Sequence, residues 1–184
     1  MKLLPVLFIA LTLATQASPQ TTQEIDPTRP IPTGLAPHMQ VRILKDSPEE
    51  KVYAVVFLKG DEVLSGLTDF AIKYKVSDAH FTGIGAISSA TTAWLDIDKK
   101  LYHPTITNEQ VEVLSLTGDI AAFNQKPVVH MHAVLGHRDG STTGGHVWSL
   151  TANPTVEIFL TANNTILNKR PDPASGIKLI DPTN

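Results

Sequence analysis

Cysteine is absent from all 184 residues. Disulfides, thiolate metal sites and thiol nucleophiles are thereby excluded together, and the seven histidines are the softest ligands the chain possesses. An excess of basic charge is missing too, since fifteen Lys and Arg against eighteen Asp and Glu leave a net charge of −3. A dedicated nucleic-acid binder draws its affinity from clustered cations, so this balance argues against one. No internal repeat, Walker loop, kinase signature or Ser-His-Asp order is present. What remains is a hydrophobic fraction of 42%, ordinary for a globular protein, in a chain long enough for one domain and short for two.

The chain opens with Met1-Lys2, an apolar run over residues 3–13 broken by Pro5 and Thr12, and the small-residue site Thr15-Gln16-Ala17. This pattern predicts a secretory signal peptide over 1–17, too short to stay as a membrane span, and a secreted or periplasmic mature protein. Five of the thirteen prolines then fall within 18–37, which predicts an extended linker. The domain is expected over 38–168. A second proline-rich tail covers 169–184, with an edge strand expected near 177–180.

Within the domain, Val63, Leu64, Leu67, Phe70, Ala71 and Tyr74 have the spacing of an amphipathic helix, with Asp61 and Glu62 at its positive end. The unbroken apolar run 52–58 predicts a buried strand. Strand-like runs follow at 79–87, 91–97, 111–116, 128–135, 146–150 and 156–160, punctuated by Gly118, Asn124, Asp139-Gly140 and Asn153-Pro154. One helix among six or seven strands predicts an α+β domain on a largely antiparallel sheet.

Candidate chemistry concentrates in Val129-His130-Met131-His132-Ala133 and Gly144-Gly145-His146. In a strand, residues i and i+2 share a face about 6.6 Å apart, so His130 and His132 can converge on one ion. A turn at Asp139-Gly140 would return His146 beside them, with Gly144-Gly145 allowing close backbone approach. Three neutral imidazoles with an open fourth position suit a divalent metal, zinc before nickel or copper. The alternative is three hydrogen-bonded histidines on a hairpin.

His137 stands at odd spacing from His132 and faces the other side unless Gly136 bulges, whereas His103 and His80 read as surface residues. Gly83-Ile84-Gly85-Ala86 lacks the third glycine of a dinucleotide fingerprint, Ser88 standing there, and reads instead as a place where the sheet bends or backbones meet. Glu112 and Glu157 sit in apolar strands and read first as solvent-facing. Glu112 is the one carboxylate set aside as a catalytic candidate.

Four ordered motifs, Phe81-Thr82-Gly83-Ile84-Gly85-Ala86, Val111-Glu112-Val113-Leu114-Ser115-Leu116-Thr117-Gly118, His130-Met131-His132-Ala133 and Gly144-Gly145-His146, resemble the plant and prokaryote conserved (PPC or PCC) domain. The resemblance implies a sandwich with a central antiparallel sheet, assembly as a homotrimer, and a metal set matching His130, His132 and His146. Plant relatives join this domain to an Arg-Gly-Arg-Pro hook, which has no counterpart here, and their partner-contact hexapeptide falls on Glu109-Gln110-Val111-Glu112-Val113-Leu114 with its Gly-Arg start replaced.

Three functional classes follow. The first is a trimeric three-histidine module binding a small ligand or an envelope partner. The second is a hydrolase in which the metal activates water. The third is DNA binding, the label often attached to the family, against which the export signal and the acidic chain both count.

Overall fold

The computed structural model describes residues 23–183. The signal peptide expected over 1–17, and 18–22 of the expected linker, lie outside the described residues. In chain order the elements are β1 (Gln40–Asp46), β2 (Glu50–Leu58), α1 (Val63–Tyr74), β3 (Asp78–Asp96), β4 (Leu101–Thr107), β5 (Val111–Phe123), β6 (Lys126–Gly136), β7 (Thr142–Asn163), β8 (Lys169–Pro171) and β9 (Lys178–Ile180). Seven strands form one sheet in the order β1-β2-β7-β6-β5-β3-β4, while β8 and β9 make a separate pair. Every pairing between these named strands is antiparallel. The expected single domain with an antiparallel sheet and one helix is what the described residues form.

Because β3 also pairs with β7, the strands β3, β5, β6 and β7 close a ring. A closed ring removes sheet edges and gives each strand an inner and an outer face. Phe81, Leu116, Ile120, Met131, Leu135 and Leu150 are fully buried in the core, where α1 adds Leu64, Leu67 and Phe70. The residues alternating with these on β5 and β6 point outward, and that parity decides where the histidines go.

Some elements differ from the sequence expectation. The runs 79–87 and 91–97 are one strand, β3, and the runs 146–150 and 156–160 both belong to β7, which passes through Asn153-Pro154. Pairing resolves this: β7 lies against β3 on both sides of that proline, at Ala152↔Ile87 and Val156↔Gly85, with register shifts absorbing the irregularity. The bend occurs where Gly83 and Gly85 meet β7, since a Cβ on Gly83 would lie 2.8 Å from the Glu157 carbonyl oxygen and one on Gly85 would strike that of Thr155. β2 is buried at alternate residues, Tyr53, Val55 and Phe57, rather than throughout, because only one of its faces meets the core. β1 and β4 were not legible, β1 because its residues are mostly exposed and β4 because Pro104 interrupts its pattern.

Of the two acidic residues at the positive end of the helix, which begins at Val63, Glu62 is the one that caps it. It accepts from the backbone N–H of Leu64 and Ser65 at 3.2 and 2.6 Å and from that of Leu150 on β7 at 2.9 Å. Burial pushes the Glu62 carboxyl above its ordinary value, against the pull of these three N–H groups. Asp61, fully buried, accepts instead from the N–H of Leu58 and of His38, both at 2.9 Å.

The described part of the proline-rich segment, 23–37, is bound to the domain rather than free. Ile25 exchanges two backbone hydrogen bonds of 2.9 Å with Tyr102, and Leu35 N–H donates to Ser65 Oγ at 3.0 Å. The tail is fastened likewise, by the Lys169 ammonium 2.8 Å from Asp119 Oδ1, and within it 178–180 finds its strand partner in β8. Apolar side chains among the prolines supply the reason: Ile25 is buried and joins Ala93 and Tyr102, with Ile177 packed against them. No helix among the described residues is long and apolar enough to cross a membrane.

Candidate metal centre

β6 carries His130 and His132 on its outer face, two residues apart, because Met131 between them fills the core. The Asp139-Gly140 turn returns the chain as β7, and the pairing places His146 directly opposite His132. Gly144 permits the approach, since a Cβ there would strike the Ala133 carbonyl oxygen. One ligand nitrogen from each of His130, His132 and His146 lies within 4.8 Å of the other two. The ring centroids are 5.2 to 5.4 Å apart.

The surroundings of His146 and His132 favour their neutral forms. Burial, then the neighbouring His130, His132 and Lys169, pushes His146 down to about 3. His132 is lowered as well, first by burial and then by His130. Neutral imidazoles present lone pairs, the state a metal requires. His146 Nδ1 is a buried ring nitrogen without a hydrogen-bond partner. Its ring stacks on Tyr102 at 4.7 Å and meets Trp148 edge-on at 5.4 Å, so packing fixes its plane.

Asp119 on β5 pairs across from His130, and its Oδ2 lies 3.0 Å from His130 Nδ1. The Lys169 ammonium, 3% exposed, sits 2.8 Å from Asp119 Oδ1. Burial works against the Asp119 charge, but the hydrogen bonds from His130 and Lys169 outweigh it and hold the carboxyl below its ordinary range. An ionised Asp119 accepts a hydrogen bond from His130 Nδ1–H, which leaves Nε2 as the nitrogen free for a ligand.

These residues fit a divalent ion. Four-coordinate zinc with nitrogens at 2.0–2.1 Å spaces its donors about 3.4 Å apart, roughly an ångström of closure from the arrangement present. The unpartnered His146 nitrogen and the carboxylate-backed His130 are what such a site contains before loading.

The other candidates lie elsewhere. Glu112 is exposed and pairs with Gly136, roughly 17 Å along β5 from Thr117, the residue opposite His132. Glu157 is exposed, opposite Val56 and Ile84. His137, beyond the end of β6, contacts Glu109 at 2.9 Å and Thr143 at 2.8 Å. His103 stacks on Trp94 and contacts Asp96 at 3.2 Å. Sequence reasoning missed Asp119, Lys169 and Tyr102. For Asp119 a signal existed, because it stands two residues after Thr117 and continues the outward parity of β5. Ending the strand at Leu116 on account of Gly118 concealed it.

Residues 45–164 match the family model of the Plants and Prokaryotes Conserved (PCC) domain. Among solved structures, a protein of Bacteroides thetaiotaomicron, provisionally described as DNA-binding, aligns with a TM-score of 0.71 at 24% identity, over 78% of this chain and 99% of that one. A metal-containing protein of Archaeoglobus fulgidus aligns with a TM-score of 0.67 at 26% identity, over 78% and 97%. The bifunctional protein GlmU of a Synechococcus strain is 25% identical over 134 residues, 68% of this chain, which spans only 20% of that protein's length.

Proposed function

The chain belongs to the Plants and Prokaryotes Conserved domain family, and from that premise we propose that it is an exported, homotrimeric metal-binding module that takes a small ligand or an envelope partner. The observation supporting this reading is the convergence of His130, His132 and His146 within 4.8 Å, with a buried His146 nitrogen left unpartnered. His130, His132 and His146 would hold the ion, zinc by preference for three neutral nitrogens. Asp119 orients His130, Lys169 keeps Asp119 charged, and Tyr102 with Trp148 holds the His146 ring in place. A bound divalent ion would supply a fixed positive charge and Lewis acidity there.

Binding is favoured over hydrolysis by the state of the carboxylates. Asp119 is already engaged by His130 and Lys169, and Glu112 stands apart, so no free general base adjoins the histidines among the described residues. The DNA-binding description belongs to neighbours, the Bacteroides protein among them, and a net charge of −3 supports a different ligand for this chain. Export rests on the signal-peptide pattern of residues 1–17, and the trimer on the family resemblance.

Elemental analysis of the untagged protein, sized by light scattering, tests the reading. About one zinc or similar ion per chain in a trimer, lost on His130→Ala or His132→Ala, is the expected result. A trimer with no stoichiometric metal would make the histidines structural.

A further inference from the structure

The two segments flanking the matched residues 45–164 close over the face that carries the histidines. Together with α1, β5, β6 and β7 they line a half-open cavity of about 1190 Å³. Its wall includes His130, His146 and Trp148, with Ile31 from the leading segment and Ile177 from the tail. This volume suits a small organic molecule.

The charge of the lining is one-sided. Arg29, Lys75, Lys126, Lys169 and Lys178 all line the cavity, against Asp119 as its single carboxylate. Asp119 is satisfied by Lys169 and His130. Arg29, Lys75 and Lys126 have no ion-pair partner among the described residues, and Lys178 lies 4.9 Å over the Phe123 ring. Trp148 Nε1, which can only donate, is buried without an acceptor. Donors and cations therefore collect at one apolar cavity, in a chain whose net charge is negative. The unmet demand is for an acceptor with negative charge and an apolar body.

We infer that this cavity binds small monocarboxylates, the carboxylate toward the histidines and the basic rim, the apolar body against Ile31, Trp148 and Ile177. For the headgroup's anchor the inference rests on the metal-binding reading, while the basic rim and apolar walls stand without it. The flanking segments thus give this chain its ligand preference, and the family core supplies the histidines.

Calorimetric titration of octanoate and of 1-octanol into the untagged full chain, with metal content measured in parallel, tests this. Octanoate should bind at about one per chain, at least about tenfold tighter than 1-octanol. Replacing the exposed Lys126 and the half-buried Lys178 together, Lys126→Glu with Lys178→Glu, should weaken octanoate about tenfold with metal content unchanged, and Ile177→Arg should abolish binding. Protein that holds its metal yet shows no saturable octanoate binding overturns the pocket and leaves the metal reading standing. Octanoate binding by protein that retains no metal supports the pocket and overturns the metal reading. Equal affinity for 1-octanol overturns the carboxylate assignment.

Discussion

Asp119 Oδ2 lies 3.0 Å from His130 Nδ1, and this pair connects the histidine cluster to the C-terminal tail. The other oxygen of Asp119 meets Lys169, so a residue outside the matched family segment secures the carboxylate that orients a candidate ligand.

Asp119→Asn removes the charge that fixes the His130 tautomer and should weaken metal binding about 10- to 100-fold, read by competition with a chelating dye. Stability should fall as well, because Lys169 is 3% exposed and its charge would be left without a countercharge. Lys169→Met should restore most of that stability in the Asp119→Asn background without restoring metal affinity. Urea midpoints of the four proteins in this cycle provide the check.

Gly144→Ala places a Cβ against the Ala133 carbonyl oxygen, where β6 and β7 run side by side. The strands must separate next to the His132↔His146 pair. The expected outcome is a loss of about 2 kcal/mol in unfolding free energy together with loss of metal. Unchanged metal stoichiometry in this variant would show that the hairpin pairing does not position the site.

Glu62→Ala removes one side chain that serves three backbone N–H groups, two in the first turn of α1 and one at Leu150. Losing the cap and stranding the Leu150 N–H should cost about 2–3 kcal/mol. Thermal melts at neutral pH measure this, and the metal content of the folded variant should be unaltered.

The metal-free protein should lose stability in acid. His146 is held neutral down to about 3 by burial, whereas the unfolded ring titrates at its ordinary value of 6.5. Between those values the unfolded chain binds a proton that the folded chain refuses, so this contribution is complete above 6.5 and declines as pH falls toward 3. Urea midpoints of chelator-treated protein should drop from about pH 7 to about pH 4, and the drop should be smaller in His146→Phe.

The α+β class, the helix at 63–74 and the His-x-His face were legible in the order of residues, because strand parity and helical periodicity are local properties. That order also placed His146 in reach, since a turn at Asp139-Gly140 and two glycines leave the returning strand little other course. Tertiary structure alone decided the rest. Closure of the β3-β5-β6-β7 ring depends on pairings between residues as distant as Ala79 and Ala162, and it joined the runs on either side of Asn153-Pro154 and carried β5 past Gly118. Asp119 joined the histidines through register across β5 and β6, and Lys169 and Ile25 through contacts of segments that composition alone describes as linker and tail. Proline content reports how extended a segment is. Where an extended segment lies depends on the few apolar and charged side chains it carries and on the surface that receives them.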